Sequence, residues 1–292
     1  MTGYLCRFFN EHGYQQQDAD SLLCTFRKIT DNRETLTLWK QAISLYNNDY
    51  RHSFSDILRI AKDAADSVGI HRYTAELLMC ICLTERLEEL YRQFGISAET
   101  YKNSVADLRY KLQECKLVYG IVGSFVSEWF GGFFNLTRFG IGRLQFEVIP
   151  LGTDYERGSV RLSADSKVIN VHIPRSGDPL TEKACQEAYE LAKSFFAKEI
   201  DTEPCPFVCH SWLLYPEHGK FLPKHTNTYR FFNSFDIFSS STDDSLSELW
   251  RLFDTKEANV DRLPADTTMR RAFIEHLKNG GKTGIGRGIL FV

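Results

Sequence analysis

The stretch Val168-Ile-Asn-Val-His-Ile-Pro-Arg-Ser-Gly-Asp-Pro-Leu-Thr181 decides how the second half of the chain is read. Residues 168–173 are rich in β-branched side chains, are bounded by turn residues and predict a strand. Asn170, His172 and Pro174 share one face, and Ile169, Val171 and Ile173 share the other. Pro174 and Gly177 break the strand. A helix is expected from about Thr181 to Phe196, with Ala184, Ala188, Leu191, Ala192 and Phe195 as its apolar face and Thr181 or Asp178 as its cap. A turn that opens into a helix offers unpaired N–H groups and a positive dipole end to an anion such as a pyrophosphate. Arg175 adds a cation there, and Gly177 lets a ligand approach the backbone. The plain alternative is a capped turn that binds nothing, and Asp178 opposes an anion.

Outward from this stretch the chain has two characters. Toward the C-terminus, strands are expected at 144–149, 159–162, 207–214, 235–239 and 288–292, with helices at 223–232, 246–253 and 267–277. Toward the N-terminus the period is helical. Ser53 and Asp56 form a capping pattern, and Phe54, Ile57, Leu58, Ala61, Ala65 and Val68 follow on one face until Gly69. A longer helix runs from about Tyr73 to Phe94, with Leu77, Leu78, Ile81, Leu87, Leu90, Tyr91 and Phe94 turned inward. Tyr101, Val105, Leu108, Leu112 and Cys115 mark another, and weaker patterns cover 22–29 and 36–46. The fold class expected is α+β. A helical domain (1–116) and an apolar connecting segment (117–137) precede a mixed-sheet domain (138–292). Gly-Ile-Gly-Arg occurs at 140–143 and at 284–287, each time leading into a strand.

Composition narrows the function classes. The 292 residues are 43% hydrophobic and 25% charged, the balance of a globular chain with a real core. A net charge of -3 gives no general electrostatic attraction to nucleic acid or to an anionic membrane. Leu117 to Leu136 is almost wholly apolar, yet it holds Glu128, Asn135 and four glycines, a poor spanning helix. It reads as buried. The opening MTGYLCRFFNEHGY lacks the pattern of a secretory signal, and the eight scattered cysteines read as reduced thiols, so the expected location is the cytoplasm.

Cys205, Cys209, His210, His218 and His225 cluster in sequence, but four residues along a strand span about 13 Å, too far for one ion without a sharp bend. Cys80 and Cys82 point in nearly opposite directions on a helix. Cys209 and His210 face opposite sides of their strand, so this imidazole cannot activate this thiol. No metal site is expected.

The order strand–RSGDPLT–helix–strand resembles the core of the GNAT N-acyltransferase superfamily. The whole chain is similar to bacterial acyltransferase-domain proteins that join a helical N-terminal domain to a GNAT-like C-terminal domain. The resemblance rests on Phe139-Gly-Ile-Gly-Arg-Leu-Gln-Phe-Glu-Val148, Val171-His-Ile-Pro174, Gly177, Pro179-Leu-Thr181, Cys209-His-Ser-Trp-Leu-Leu214, Leu263-Pro-Ala-Asp-Thr267 and Gly280-Gly-Lys-Thr-Gly-Ile-Gly-Arg-Gly288.

The resemblance implies that acyl-CoA, acetyl-CoA or a longer one, enters where the family's fourth and fifth strands splay apart. Its pyrophosphate would rest on Arg175, Ser176 and Gly177, a turn shorter than the family's usual two-glycine loop. Transfer to an amine needs a base, an oxyanion donor and an acid for the departing thiolate. His172 and His210 are the candidate bases, because imidazole accepts a proton near neutral pH. His172 ranks first, since its strand's other face is plainly core. Backbone N–H groups of the splayed strand would hold the oxyanion. Tyr229 is the nearest equivalent of the family's tyrosine acid, with Tyr215 the weaker alternative, and Asn227 would contact the cofactor.

The expectation is an N-acyltransferase acting on a small-molecule or peptide amine. A non-catalytic module that binds acyl-CoA or another ligand, as sensor or scaffold, is the alternative. A zinc hydrolase resting on the Cys/His cluster ranks last.

Overall fold

Helices α1 (Thr2–Glu11), α2 (Gln16–Asp31), α3 (Arg33–Asn48), α4 (Phe54–Asp66), α5 (Arg72–Gln93) and α6 (Ala98–Tyr119) build the first of two units in the computed structural model, Met1–Gly140. The structure describes residues 1–243, 245–246 and 248–292. Ser53 Oγ accepts the Asp56 backbone N–H at 3.3 Å, so α4 starts where the capping pattern puts it. α5 packs against α1, α2, α3, α4 and α6. Its residues 74–84 are all buried, which is why its inward side is wider than one helical stripe. Leu77, Leu78, Ile81, Leu87, Leu90 and Tyr91 are in the core, whereas Phe94 is 52% exposed. Phe94 sits at the C-cap, past the last helical turn, and its ring instead meets Tyr50 edge-on at 5.9 Å.

Segment 117–137 lies wholly within the first unit rather than between the units. After α6 it forms a 3-10 turn (Ser127–Phe130) and the short helix α7 (Gly131–Phe134). Phe130, Phe133 and Phe134 are buried, and Tyr46 donates its hydroxyl to the Phe134 carbonyl at 2.9 Å. Strand β1 (Arg138–Ile141) then carries the chain across the division.

The second unit, Ile141–Val292, contains β2 (Leu144–Pro150), β3 (Tyr155–Arg157), β4 (Val160–Leu162), β5 (Lys167–His172), α8 (Glu182–Phe195) and β6 (Pro206–Ser211). Then follow α9 (His218–Phe221), α10 (Asn227–Asn233), β7 (Asp236–Thr242), α11 (Trp250–Phe253), α12 (Thr268–Lys278) and β8 (Gly284–Phe291). Its sheet runs in the order β2-β5-β6-β8-β7, and β3 and β4 form a separate hairpin. β5 and β6 pair parallel, whereas β2–β5, β6–β8 and β7–β8 pair antiparallel. The mixed sheet preceded by helices is the α+β class expected from sequence.

One face of the sheet is dry. Phe146 and Phe207 meet Tyr189 of α8 at ring distances of 6.3 and 5.2 Å. Cys185, Ala188, Tyr189 and Ala192 are the buried positions of α8, and Leu191 is 53% exposed because it lies beyond the edge of that stripe. Thr181 is the cap, its Oγ1 accepting the Ala184 N–H at 3.2 Å.

Several boundaries differ from the sequence expectation. The strand expected through Leu214 ends at Ser211, whose Oγ accepts the Leu213 N–H and turns 212–214 into a 3-10 helix. The helix expected from Leu246 shows as Trp250–Phe253, and residue 247 lies outside the described residues. The second Gly-Ile-Gly-Arg lies inside β8 rather than ahead of it. A side chain at Gly286 would overlap the Leu214 carbonyl, so the strand needs glycine there.

Candidate active site at the opening between two strands

The parallel ladder between β5 and β6 pairs Ile169 with Phe207, Asn170 with Val208 and Val171 with Cys209, and stops there. β5 runs on to His172, and β6 continues to Ser211 while still paired with β8. Beyond Val171 and Cys209 the facing edges are therefore released from each other. The β5–β6 ladder thus ends one residue before β5 does and two before β6 does.

Registers fix what lines the second face at this point. Gln145 pairs with His172 and Glu147 with Asn170, while His210 pairs with Arg287. Paired residues point to the same side, so Glu147, Asn170, His172, His210 and Arg287 all lie on the face opposite α8. His172 Nε2 is 2.6 Å from Glu147 Oε1, and Asn170 Nδ2 is 3.1 Å from the same oxygen. The His172 and Glu147 side chains are 21% and 16% exposed. His210 is exposed, and its pKa is lowered, first by partial desolvation and then by the nearby Arg287 guanidinium. Both effects favour neutral imidazole.

The turn after β5 is cross-braced. Arg143 donates from Nε and Nη2 to the Asp178 carbonyl at 3.1 and 2.9 Å, and from Nη1 to the Pro174 carbonyl at 3.1 Å. Gly142 supplies the left-handed bend (φ +57) that presents Arg143, and a Cβ there would press on Ala188. Arg175 is paired with Asp254, Nη2 to Oδ2 at 2.7 Å, and Arg270 Nη2 reaches that same oxygen at 2.6 Å. Ser176 Oγ accepts the Asp178 N–H at 3.1 Å, and Gly177 has φ +88 with open space around it. Arg143, Arg175 and Arg270 thus gather around one exposed turn.

Asn227 and Tyr229 lie elsewhere. Both are on α10, which packs beside α8 and α9, and Thr226 Oγ1 caps it through the Tyr229 N–H at 3.2 Å. Tyr229 is half-buried against Leu222, Leu249, Leu252, Phe253, Leu263 and Phe273. Tyr215 is buried, with its hydroxyl 3.0 Å from Thr242 Oγ1. The structure therefore brings His172 and His210 to one face and Arg175 through Gly177 to the adjoining turn. It leaves Tyr229 and Asn227 on the α8 side.

Cys209 is buried while its neighbour His210 is exposed, and burial pushes the Cys209 thiol up to about 12. Among the described residues, no group of three or more His, Cys, Asp or Glu is arranged to hold a metal ion, and no helix is long and apolar enough to cross a membrane.

Glu147, Asn170, Arg143 and Asp254 were not singled out from sequence. The alternation in Leu144-Gln-Phe-Glu-Val148 does mark Glu147 as a carboxylate on a strand facing opposite Phe146. Only the β2–β5 register shows what it meets. On the same face, an open cavity of about 580 Å³ is lined by Asp154, Glu156, Arg157, Asp236, Phe238 and Arg287 among others.

With this geometry in place, residues 4–136 match the N-acyltransferase N-terminal domain and residues 138–290 match the GNAT-like C-terminal domain. The chain belongs to the family of proteins with this GNAT-like C-terminal domain. Its fold is similar to that of an acyltransferase solved in complex with decanoyl-CoA and teicoplanin, at 19% identity and a TM-score of 0.76, over 98% of this chain and 86% of that one. It is also similar to an acyltransferase mutant in complex with octanoyl-CoA, at 19% identity and a TM-score of 0.78, over 99% of this chain and 87% of that one. No curated protein matches the chain.

Proposed function

We propose that the protein is an acyl-CoA-dependent N-acyltransferase that acylates an amine on a small molecule or peptide. The observation that carries this reading is the end of the β5–β6 ladder at Val171/Cys209, with His172 and the Arg175 turn immediately beyond it. Similar structures solved with decanoyl-CoA, octanoyl-CoA and teicoplanin support the substrate classes. The donor set fits a CoA anion: three guanidiniums and the amides of an exposed turn suit a pyrophosphate. To receive it, Arg175 exchanges Asp254 for the phosphate, and Asp254 keeps Arg270.

The chain's residues divide the transfer as follows. The amine nitrogen attacks the thioester carbonyl, a C–N bond forms and the C–S bond breaks. His172 takes the proton that the amine gives up, and His210 stands beside it as the second base. The backbone N–H groups of His172 and Ile173, just past Val171, steady the carbonyl oxygen as it gains charge. Tyr229, on the α8 side, donates to the departing thiolate through the opening, and Asn227 at the start of α10 contacts the cofactor. The cavity bordered by Arg287 receives the acceptor.

The test combines calorimetry with acetyl-, octanoyl- and decanoyl-CoA and an assay of CoA release over an amine panel. His172→Ala is expected to lower transfer by about 100- to 10,000-fold while leaving CoA affinity in place. Tight binding with no amine-dependent release would select the non-catalytic module instead. Absence of CoA binding would end the transferase reading and leave only a module that binds another ligand.

A further inference from the structure

We propose that Glu147 is the positioning residue of this site: it fixes the tautomer of His172 and raises its basicity. The inference rests on the base assignment above but is carried by a separate observation, the convergence of two donors on one carboxylate oxygen. His172 Nε2 lies 2.6 Å and Asn170 Nδ2 3.1 Å from Glu147 Oε1.

The direction of these bonds follows from proton accounting. An ionised carboxylate only accepts, so the hydrogen in the short contact sits on Nε2. Nε2 then has no lone pair for Asn170, although the two nitrogens are 3.1 Å apart. The Asn170 amide therefore donates to Glu147 Oε1 as well. Its bond keeps the carboxylate turned toward the imidazole. With Nε2 carrying hydrogen, the lone pair of the neutral ring is on Nδ1, and that atom takes the proton from the amine. The imidazolium so formed is opposed by the Glu147 charge at hydrogen-bond distance, which favours it.

The strand geometry makes this arrangement repeatable. Gln145 stands directly opposite His172 in the antiparallel ladder, and Glu147 opposite Asn170. Glu147 thus reaches His172 along the diagonal while its own cross-strand partner, Asn170, braces it. The other charged groups on this face are His210 on β6, which Glu248 also influences, and Arg287 on β8, with Arg175 in the following turn; Asp154, Glu156 and Asp236 line the cavity beside Arg287. Arg287 and Arg175 would press His172 toward the neutral form. Glu147 is the carboxylate that hydrogen-bonds the ring.

The test is ring-nitrogen NMR of the full-length protein, with His172→Gln used to assign the signal. In the wild type the neutral ring should carry hydrogen on Nε2. Glu147→Gln keeps the shape and an acceptor but removes the charge, and the His172 pKa should fall by about 1 unit or more. Asn170→Ala removes the brace without changing charge and should lower it by less than half as much. In Glu147→Asp, which restores a charge one methylene further back, part of the fall should be recovered. The low-pH limb of the transfer rate should move by the same amount in each variant. An Nδ1–H tautomer in the wild type, or an unchanged pKa in folded Glu147→Gln, overturns the proposal. The NMR arm decides it whether or not transfer is observed. A correct titration without any acyl transfer therefore overturns the proposed function and leaves the pair standing.

Discussion

The buried thiols and phenols of the helical unit contrast with the polar groups on one face of the sheet unit. In the helical unit, burial silences them: the Cys82 thiol and the Tyr4 hydroxyl are each pushed up to about 12, and Cys80, Tyr14, Tyr46, Tyr91 and Tyr101 also rise, all chiefly by desolvation. These groups stay neutral at any working pH. In the sheet unit, the dry face repeats that behaviour at Tyr189 and Cys209. The other face keeps Glu147, Asn170 and His172 partly buried and joined to one another. The lesson concerns topology. A helix enclosed on every side offers no edge at which to place a reactive group. A sheet has two faces and, where a parallel pair parts, a third exposed border.

The largest expected effects lie in the two dry cores. Phe207→Ala removes the ring between Phe146 and Tyr189 and should cost about 3–5 kcal/mol of unfolding free energy; Leu77→Ala in α5 should cost about 2–5 kcal/mol. Urea melts measure both. If either variant that remains folded shifts the pH dependence of transfer, the separation between inert core and reactive face is wrong.

His218 tests the same contrast inside the sheet unit. It is 1% exposed, its Nδ1 lies 2.8 Å from the Trp212 carbonyl, and its pKa is lowered to about 4, first by burial. The folded pKa lies below the unfolded value, so the unfolded chain binds the extra proton first. Its contribution is therefore full above about pH 6.5 and is lost as pH falls toward 4, on the order of 3 kcal/mol in all. His218→Asn retains a donor for Trp212 and should flatten the stability curve across that window. A curve as steep as the wild type's would remove His218 from the account.

Arg175→Ala should weaken CoA binding by about 1–3 kcal/mol, read by calorimetry, because a charge-assisted contact is lost. Stability should change little, since Arg175 is exposed and its pairing with Asp254 is shared by Arg270. A large loss of stability with unchanged affinity would make the turn structural. Smallest is Ser53→Ala, which removes the α4 cap and should lower the stability of the helical unit by about 1 kcal/mol. No effect on CoA affinity is expected, and a clear one would tie the helical unit to the reactive site.

The sequence by itself determined the periodic parts. Ser53–Asp56, Leu77 through Tyr91 and Tyr101 through Cys115 each carry a helical repeat that depends only on near neighbours, and α4, α5 and α6 follow it. The strand–turn–helix from Val168 to Phe196 is local in the same sense, and so is the face on which His172 lies. Helix α1, strand β3 and the early end of β6 were not legible. Short elements hold too few periods, and Ser211 redirects its strand through one side-chain hydrogen bond. What His172 meets was decided only by tertiary structure. Glu147 is twenty-five residues away along the chain and reaches Nε2 only through the β2–β5 register, and Asp254 is seventy-nine residues from Arg175. Strand pairing and loop docking bring residues together without leaving a period in the sequence, because the free energy that selects them is spread over the whole sheet.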